Sequence, residues 1–410
     1  MKYQRPKGTK DFLPEEARKA SYVEEVFRQT CALFGFQEIR TPILEPKELF
    51  LRATGAETEI VQKEMYLFFD RSGRELALRP EGTPGVIRAV IEGGLNPPQR
   101  LFYLGPMFRY EKPQKGRFRQ HHQLGIEVLG EKGPYTDAEV LFLATTFLSA
   151  IGIKDYQILL NSLGCQNCSP AFSQALKAFL SSEEKKLCPD CQGRLLRNPL
   201  RILDCKNENC QKIYQFGPKI KDYLCSDCSE HFASFLSYLP QLGIKNYRLA
   251  ENLVRGIDYY TRTVFEFVSE RLGSQNSFGG GGRYDNLFAD LGGEKTPAIG
   301  FALGLERILM LLPEGEKEEP AIIFIAFLSP ADFEKGKEII TTLRSARLKV
   351  IVGEVGERLK GQLKRANSYQ ARWVVIVGEE ELKKGAVSVK DMKTGEQREI
   401  RKEELLNFLK

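Results

Sequence analysis

Residues 101–130 read LFYLGPMFRYEKPQKGRFRQHHQLGIEVLG. The flanks, LFYLGPMFRY (101–110) and QLGIEVLG (123–130), are apolar enough to be paired strands, and the polar stretch EKPQKGRFRQHH between them reads as a mobile loop. The whole is an antiparallel hairpin with a basic tip, and it sets the expectation for the sheet around it. Upstream, Leu76 and Leu78 alternate with polar neighbours in GRELALRP (73–80). Thr83 and Pro84 then offer an N-cap and a first-turn proline to a helix through GVIRAVI (85–91), so EGT (81–83) falls at a strand-to-helix turn. Farther upstream, Val23, Val26, Phe27, Cys31 and Phe34 recur at helical spacing, with Gly35 where a helix commonly stops and a strand expected in GFQEIRTPILEP (35–46). Downstream, TVFEFV (263–268) alternates as a half-buried strand, and AIGFALGLERILMLL (298–312) reads as a strand running into a buried helix. These pieces predict an α+β fold on one mixed, mostly antiparallel sheet.

The pattern breaks at PEGEKEEP (313–320), an acidic, proline-containing stretch that reads as a linker. Beyond it AIIFIAF (321–327), LKVIVG (348–353) and WVVIVG (373–378) are apolar runs separated by helical segments at 331–346 and 357–368, the rhythm of a parallel βαβ sheet. The division is therefore 1–320 and 321–410, the second an α/β domain of about ninety residues.

A chain of 410 residues that is 42% hydrophobic and 28% charged suits two or three globular domains and excludes a disordered or fibrous protein. The N-terminus has no apolar core of signal-peptide length and no later segment is long enough to span a bilayer, so the expectation is a cytoplasmic protein without a membrane partner. A net charge of +6 permits a polyanionic partner, but it is small beside 60 basic and 54 acidic residues.

Eight of the nine cysteines lie between Cys165 and Cys228. Cys165 with Cys168, Cys188 with Cys191, and Cys225 with Cys228 are CxxC pairs, and Cys205 and Cys210 are separated by four residues. Without an export signal, such clustering favours metal-bound thiolates over disulfides. Eight thiolates could close two tetrahedral zinc sites within a small helical insertion at about 165–240, and His231 could substitute for one ligand. Which half-sites pair is not fixed by spacing.

No GxxxxGK[ST] run is present: Gly279–Gly282 are followed by Arg283 and Tyr284 rather than by lysine and a hydroxyl. ATP, if bound, would have to be met by arginines, with Arg109, Arg119, Arg255 and Arg307 as candidates.

Several separate motifs then converge. GFQEIRTPILEP (35–46), FRYEKPQKGRFRQHHQLGIEVLG (108–130) and GFALGLERI (300–308) look like the three motifs of class II aminoacyl-tRNA synthetases, in the expected order. LVRGIDYYTRTVFEF (253–267) and GGGGRYDNL (279–287) resemble the two signatures of the histidine enzymes, and RPEGT (79–83) resembles their amino-acid loop. The chain thus resembles the histidyl-tRNA synthetase family from RPKGTKDFLPEE (5–16) to its end. The resemblance implies a six-stranded, mostly antiparallel catalytic sheet, a homodimer formed through the first motif, and anticodon binding by residues 321–410.

The activity it implies has two steps: ATP and L-histidine give histidyl-adenylate and pyrophosphate, and histidine then passes to the 3′ end of histidine tRNA. Glu81, Gly82 and Thr83 are assigned to the histidine site, the first and last holding the ammonium, with Gln123, Glu127, Tyr259 and Tyr260 lining the rest. Glu127 and Tyr260 are the expected imidazole readers, since each ring nitrogen needs a donor or acceptor. Arg109 and Arg255 fall on the α-phosphate and Arg307 on the terminal phosphate. Glu111 and His121 lie with the nucleotide, and Mg2+ neutralises the pyrophosphate end. The attacking carboxylate is already ionised, so Arg255, Arg109 and Gln123 serve by positioning and charge rather than as a general base.

Two positions depart from the family. His121 stands where phenylalanine usually stacks on adenine, and Lys112 where arginine is common; an imidazole still stacks on a purine, whereas lysine gives a point charge instead of a fork. Two other readings compete: a histidine-sensing regulatory relative without adenylate chemistry, and a plain RNA-binding module using Lys364, Arg365 and Arg372. An intact LVRGIDYYTRTVFEF and a complete α/β appendage weigh against the first. The second predicts tRNA binding without aminoacylation.

Overall fold

A computed structural model describes residues 3–56, 58–205, 207–313 and 321–409. They form two compact units, Met1–Pro313 and Glu314–Lys410. Apart from Pro313, the linker expected at 313–320 lies outside the described residues.

The first unit is built on an eight-stranded sheet, in the order Gln37–Glu38, Gln99–Phe108, Gln120–Leu129, Ala298–Gly304, Ser277–Arg283, Thr261–Val268, Gln157–Ser162, Tyr247–Leu249. The middle six are antiparallel throughout. The very short strand at each edge pairs in parallel, adding two to the six expected. The expected antiparallel hairpin is present, with its first strand at Gln99–Phe108 rather than 101–110 and its second starting at Gln120, drawing His121 and His122 into the ladder.

Strand alternation sorts the two faces. Phe102, Leu124, Ile126, Val128, Phe265, Phe267, Ile299 and Phe301 turn to one side. There they pack on the helices Pro14–Leu33, Pro134–Ala150, Ser226–Gln241 and Leu305–Leu311, which contribute Phe27, Phe147, Phe235 and Ile308. Each such phenylalanine, buried entirely, contributes about 2 kcal/mol. The opposite face carries Tyr103, Tyr259, Tyr284 and the helix Thr83–Glu92, and here a cavity opens. Thr83 is the first residue of that helix rather than its cap: Gly82 holds the cap position, and the Thr83 hydroxyl is turned to another partner.

Arg283, at the end of the strand Ser277–Arg283, is fully buried and donates from Nε to Asp137 Oδ1 at 2.7 Å. It also donates to the carbonyls of Glu131 and Gly133. The other Asp137 oxygen meets His231 Nε2 at 2.8 Å. His231 is therefore engaged with Asp137 and belongs to neither cysteine cluster, which corrects its expected role as a spare metal ligand.

The second unit has a five-stranded sheet, in the order Lys349–Val352, Ile322–Phe327, Trp373–Val377, Ala386–Asp391, Gln397–Arg401. The first three are parallel, as the βαβ rhythm requires. The last two are antiparallel, so the sheet is mixed rather than purely parallel. The segment 331–346 is two helices, Pro330–Gly336 and Glu338–Ser345, on the face lined by Ile323, Ile325 and Phe327.

Candidate active site

Separate segments of the chain converge on one cavity of about 170 Å³. Glu81 and Thr83 come from the turn into the helix Thr83–Glu92, and Arg109, His121 and Gln123 from the hairpin. Arg255, Tyr259 and Tyr260 come from the loop before Thr261–Val268, and Tyr284 follows the glycine strand. Glu127 lies on the same hairpin strand as Gln123, four residues on and hence on the same face. Its register partner is Gly300, where a Cβ would sit 2.0 Å from Glu127 Oε2, so only glycine admits the carboxylate. Gly82 works the same way: its missing side chain leaves room for the Tyr103 ring, 2.2 Å from where a Cβ would be.

The two buried carboxylates are held by hydroxyls. Glu127 accepts from Thr83 Oγ1 at 2.6 Å and from the Tyr284 hydroxyl. Glu81 accepts from Thr54 Oγ1 and Tyr259 Oη, both at 2.9 Å. Burial pushes the Glu127 carboxyl up to about 8, against the downward pull of Thr83 and Tyr284. Burial likewise raises Glu81 above the ordinary carboxylate range, against Arg109. A cation placed beside either carboxyl would favour its ionised form. Tyr260 packs against Tyr259 with centroids 4.7 Å apart and ring planes 53° to each other. The direct hydroxyl partners of Glu127 are thus Thr83 and Tyr284.

The cationic side is equally specific. Arg109 Nε donates to the Pro80 carbonyl at 2.9 Å. Arg255 Nη1 donates to Glu266 Oε1 at 2.7 Å, and a Cβ on Gly280 would lie 2.8 Å from the guanidinium carbon. Arg307, on the helix Leu305–Leu311, donates to the carbonyls of Ser277 and Gln275. Glu111 pairs with Arg117 at 3.1 Å, and both bear electrostatically on Arg307. Among the described residues, Arg255 Nε, Arg307 Nη2 and Gln123 Oε1 are buried without a hydrogen-bond partner. Desolvation, then Arg109, pushes the His121 ring down to about 3, which keeps it a neutral aromatic surface. Arg119 lies over the Tyr110 ring, 3.6 Å from its centroid, and lines no part of the cavity.

Sequence reasoning missed Tyr284, Thr54 and Glu266. Tyr284 stood in view beside the glycine run, and Glu266 sits on the inward side of an alternating strand. Thr54, at the end of the helix Lys47–Thr54, carries no local signal.

The cysteines form two tetrads, Cys165, Cys168, Cys225, Cys228 and Cys188, Cys191, Cys205, Cys210, with all sulfurs of each within 4.8 Å of one another. Cys165 lies 3.7 Å from Cys168 and 4.0 Å from Cys225, and Cys188 lies 3.8 Å from Cys205. These are far from disulfide lengths. They match the edge, about 3.8 Å, of a tetrahedron with metal–sulfur bonds of about 2.3 Å. Backbone amides of Cys225 and Cys188 point at the sulfurs of Cys168 and Cys210, at 3.1 and 3.3 Å. Such donors favour thiolates.

An antiparallel sheet with arginines from separate segments around one cavity, and no P-loop, is the architecture of the catalytic core of a class II aminoacyl-tRNA synthetase. The histidyl-tRNA synthetase family model matches residues 8–182 and 227–308, and an anticodon binding domain model matches 322–410. The chain belongs to the histidyl-tRNA synthetase family. It is 48% identical over 404 residues to the histidine–tRNA ligase of Moorella thermoacetica, covering 97% of this chain and 95% of that one. It is 45% identical to that of Thermotoga petrophila, covering 100% and 98%. The apo histidyl-tRNA synthetase of S. aureus superposes with a TM-score of 0.81 at 33% identity, covering 99% of both chains. The family match leaves out 183–226, the span that contains the second tetrad.

Proposed function

We propose that the cavity carries out both steps of histidine–tRNA ligation, with its carboxylate end holding histidine and its arginine end holding ATP. The chain is an ATP-dependent aminoacyl-tRNA ligase for histidine. The observation that carries the assignment of roles is the convergence of Glu81, Thr83, Arg109 and Arg255 on one enclosure, with Glu127 behind Thr83 and with Arg255 Nε and Gln123 Oε1 buried and unpartnered among the described residues.

Glu81 and Thr83 receive the substrate ammonium, and Glu127, backed by Tyr284, reads one imidazole nitrogen while Tyr260 faces the ring. The histidine carboxylate attacks the α-phosphorus of ATP, the bond to the bridging oxygen breaks, and pyrophosphate leaves. Arg109 and Arg255 stabilise charge on the α-phosphate as that bond forms, and Arg307, with Glu111 beside it, serves the terminal phosphates. ATP arrives as its magnesium complex, and the ion neutralises the pyrophosphate end. His121 stacks on adenine. In the second step a ribose hydroxyl at the tRNA 3′ end attacks the adenylate carbonyl, AMP leaves, and the proton passes to a phosphate oxygen with Gln123 accepting nearby.

The eight thiolates hold two structural zinc ions that clamp the insertion. The enzyme works as a homodimer: the small sheet Leu44–Pro46, Glu75–Leu78, Tyr66–Phe69 leaves Leu44, Leu67, Phe68 and Phe69 exposed, an apolar surface suited to a second copy. No helix among the described residues is long and apolar enough to cross a membrane, which agrees with work in the cytoplasm. Residues 321–410 bind the anticodon region.

The test is pyrophosphate exchange with ATP, magnesium and each amino acid in turn. Histidine alone should support it, and Arg255→Ala should lower kcat about a hundredfold, equivalent to about 3 kcal/mol. No exchange with any amino acid would remove the enzymatic reading and leave a histidine sensor.

A further inference from the structure

The second tetrad holds three helical turns of 9, 6 and 7 residues, Pro189–Arg197, Pro199–Asp204 and Glu208–Tyr214. None is long enough to persist alone in water. Between its ligands Cys191 and Cys205 lie the residues that reach the catalytic loop. Arg201 Nη2 donates to the Gly256 carbonyl at 2.6 Å and to Asp258 Oδ1 at 3.3 Å. Asn198 Nδ2 donates to the same Asp258 oxygen at 3.4 Å. Gly256 directly follows Arg255, and Asp258 directly precedes Tyr259.

The loop is gripped from its other side as well. The Asp258 amide donates to the Thr54 carbonyl at 3.3 Å, and the Thr54 hydroxyl is the one that holds Glu81. At Gly55 a Cβ would lie 2.6 Å from Asp258 Oδ2, so the approach of the two segments is close. A further cavity of about 370 Å³ opens between Asn198, Arg201, Asp258, Arg255 and Tyr260. The clamped tip and the active site are therefore neighbours through one loop.

We propose that the second tetrad, with its metal, sets the position of the loop 254–260 through Arg201. Arg201 is a positioning residue: it stands outside the lining of the catalytic cavity, and it fixes the backbone from which Arg255 and the two tyrosines project. This rests on the zinc reading of the second tetrad. A displacement of about 1 Å at a reacting centre is enough to cost up to a hundredfold in rate.

The experiment uses the full-length protein. Zinc is counted by mass spectrometry, exchange kinetics are measured, and amide hydrogen exchange is followed across 254–260. The wild-type chain should hold one zinc per tetrad, hence two, and Cys205→Ser one. Arg201→Ala should keep both ions and its unfolding temperature. Its kcat should fall about tenfold to a hundredfold and its histidine KM rise, while ATP KM stays near wild type. Amides of 254–260 should exchange faster, and Arg201→Lys should recover part of the rate. The double variant Cys205→Ser/Arg201→Ala should be no slower than Cys205→Ser alone, since both remove one link. If Arg201→Ala holds two zinc ions yet matches wild type in kinetics and loop exchange, the coupling is overturned. A wild-type chain without zinc overturns the metal reading beneath it. Should Cys205→Ser fail to fold, Arg201→Ala still decides.

Discussion

Glu127 shows how one side chain collects the demands of the site. Its free-state carboxyl sits at about 8, and binding an ammonium-bearing substrate favours the ionised form. The kcat/KM for histidine should therefore rise with pH up to about 8, and Glu127→Gln, which cannot ionise, should lose that bend. A profile that keeps it would place the ionisation on another group. The stability sign runs opposite to that of a paired surface carboxylate: a folded value raised above the unfolded one of 4.5 stabilises the fold below pH 4.5, and that contribution is lost as pH rises through 8. Glu127 was legible in the sequence only because QLGIEVLG lies in a recognisable motif; its partner Tyr284 is 157 residues away, and nothing local pairs them.

At the scale of elements, the hairpin, the strand at 263–268 and the strand-to-helix run at 298–312 were legible because a half-buried strand leaves a period of two in its own residues. The cap at Thr83 was not, because its hydroxyl answers a buried carboxylate in another strand rather than its own helix. Nor could the half-sites of the tetrads be matched from spacing, since Cys165 meets Cys225 across 60 residues of chain. The join between sheet and helices rests on Asp137, which holds Arg283 from the sheet and His231 from the helix Ser226–Gln241. All three are buried. Asp137→Ala should destabilise the first unit by about 3–5 kcal/mol, because it strands a buried guanidinium. A denaturant series showing a loss below about 1 kcal/mol would mean that the carbonyls of Glu131 and Gly133 satisfy Arg283 without it.

For the molecule as a whole, each unit has a core of its own, the first around Phe147 and Phe265, the second around Ile325 and Val375. Residues 1–313 alone should therefore fold and support histidine-dependent pyrophosphate exchange. Charging of tRNA at limiting concentration should drop about a hundredfold or more once the second binding region is gone. Loss of exchange in that fragment would show the cavity to depend on the second unit. The parallel strands of the second unit were legible from the change of rhythm after PEGEKEEP, whereas the antiparallel Ala386–Asp391 and Gln397–Arg401 were not, lacking the apolar runs of the first three.

The first tetrad lies at the neck of the insertion, where Cys165 and Cys168 leave the strand Gln157–Ser162 and Cys225 and Cys228 begin the helix Ser226–Gln241. Held there, the span between 168 and 225 is a closed ring whose length the sheet scarcely feels, since doubling such a loop costs only about 0.6 kcal/mol in closure entropy. Descendants of one ancestor could lengthen, trim or exchange that ring without disturbing the catalytic scaffold, so long as one guanidinium still reached Asp258. The neck makes this stretch a natural place to graft a foreign domain.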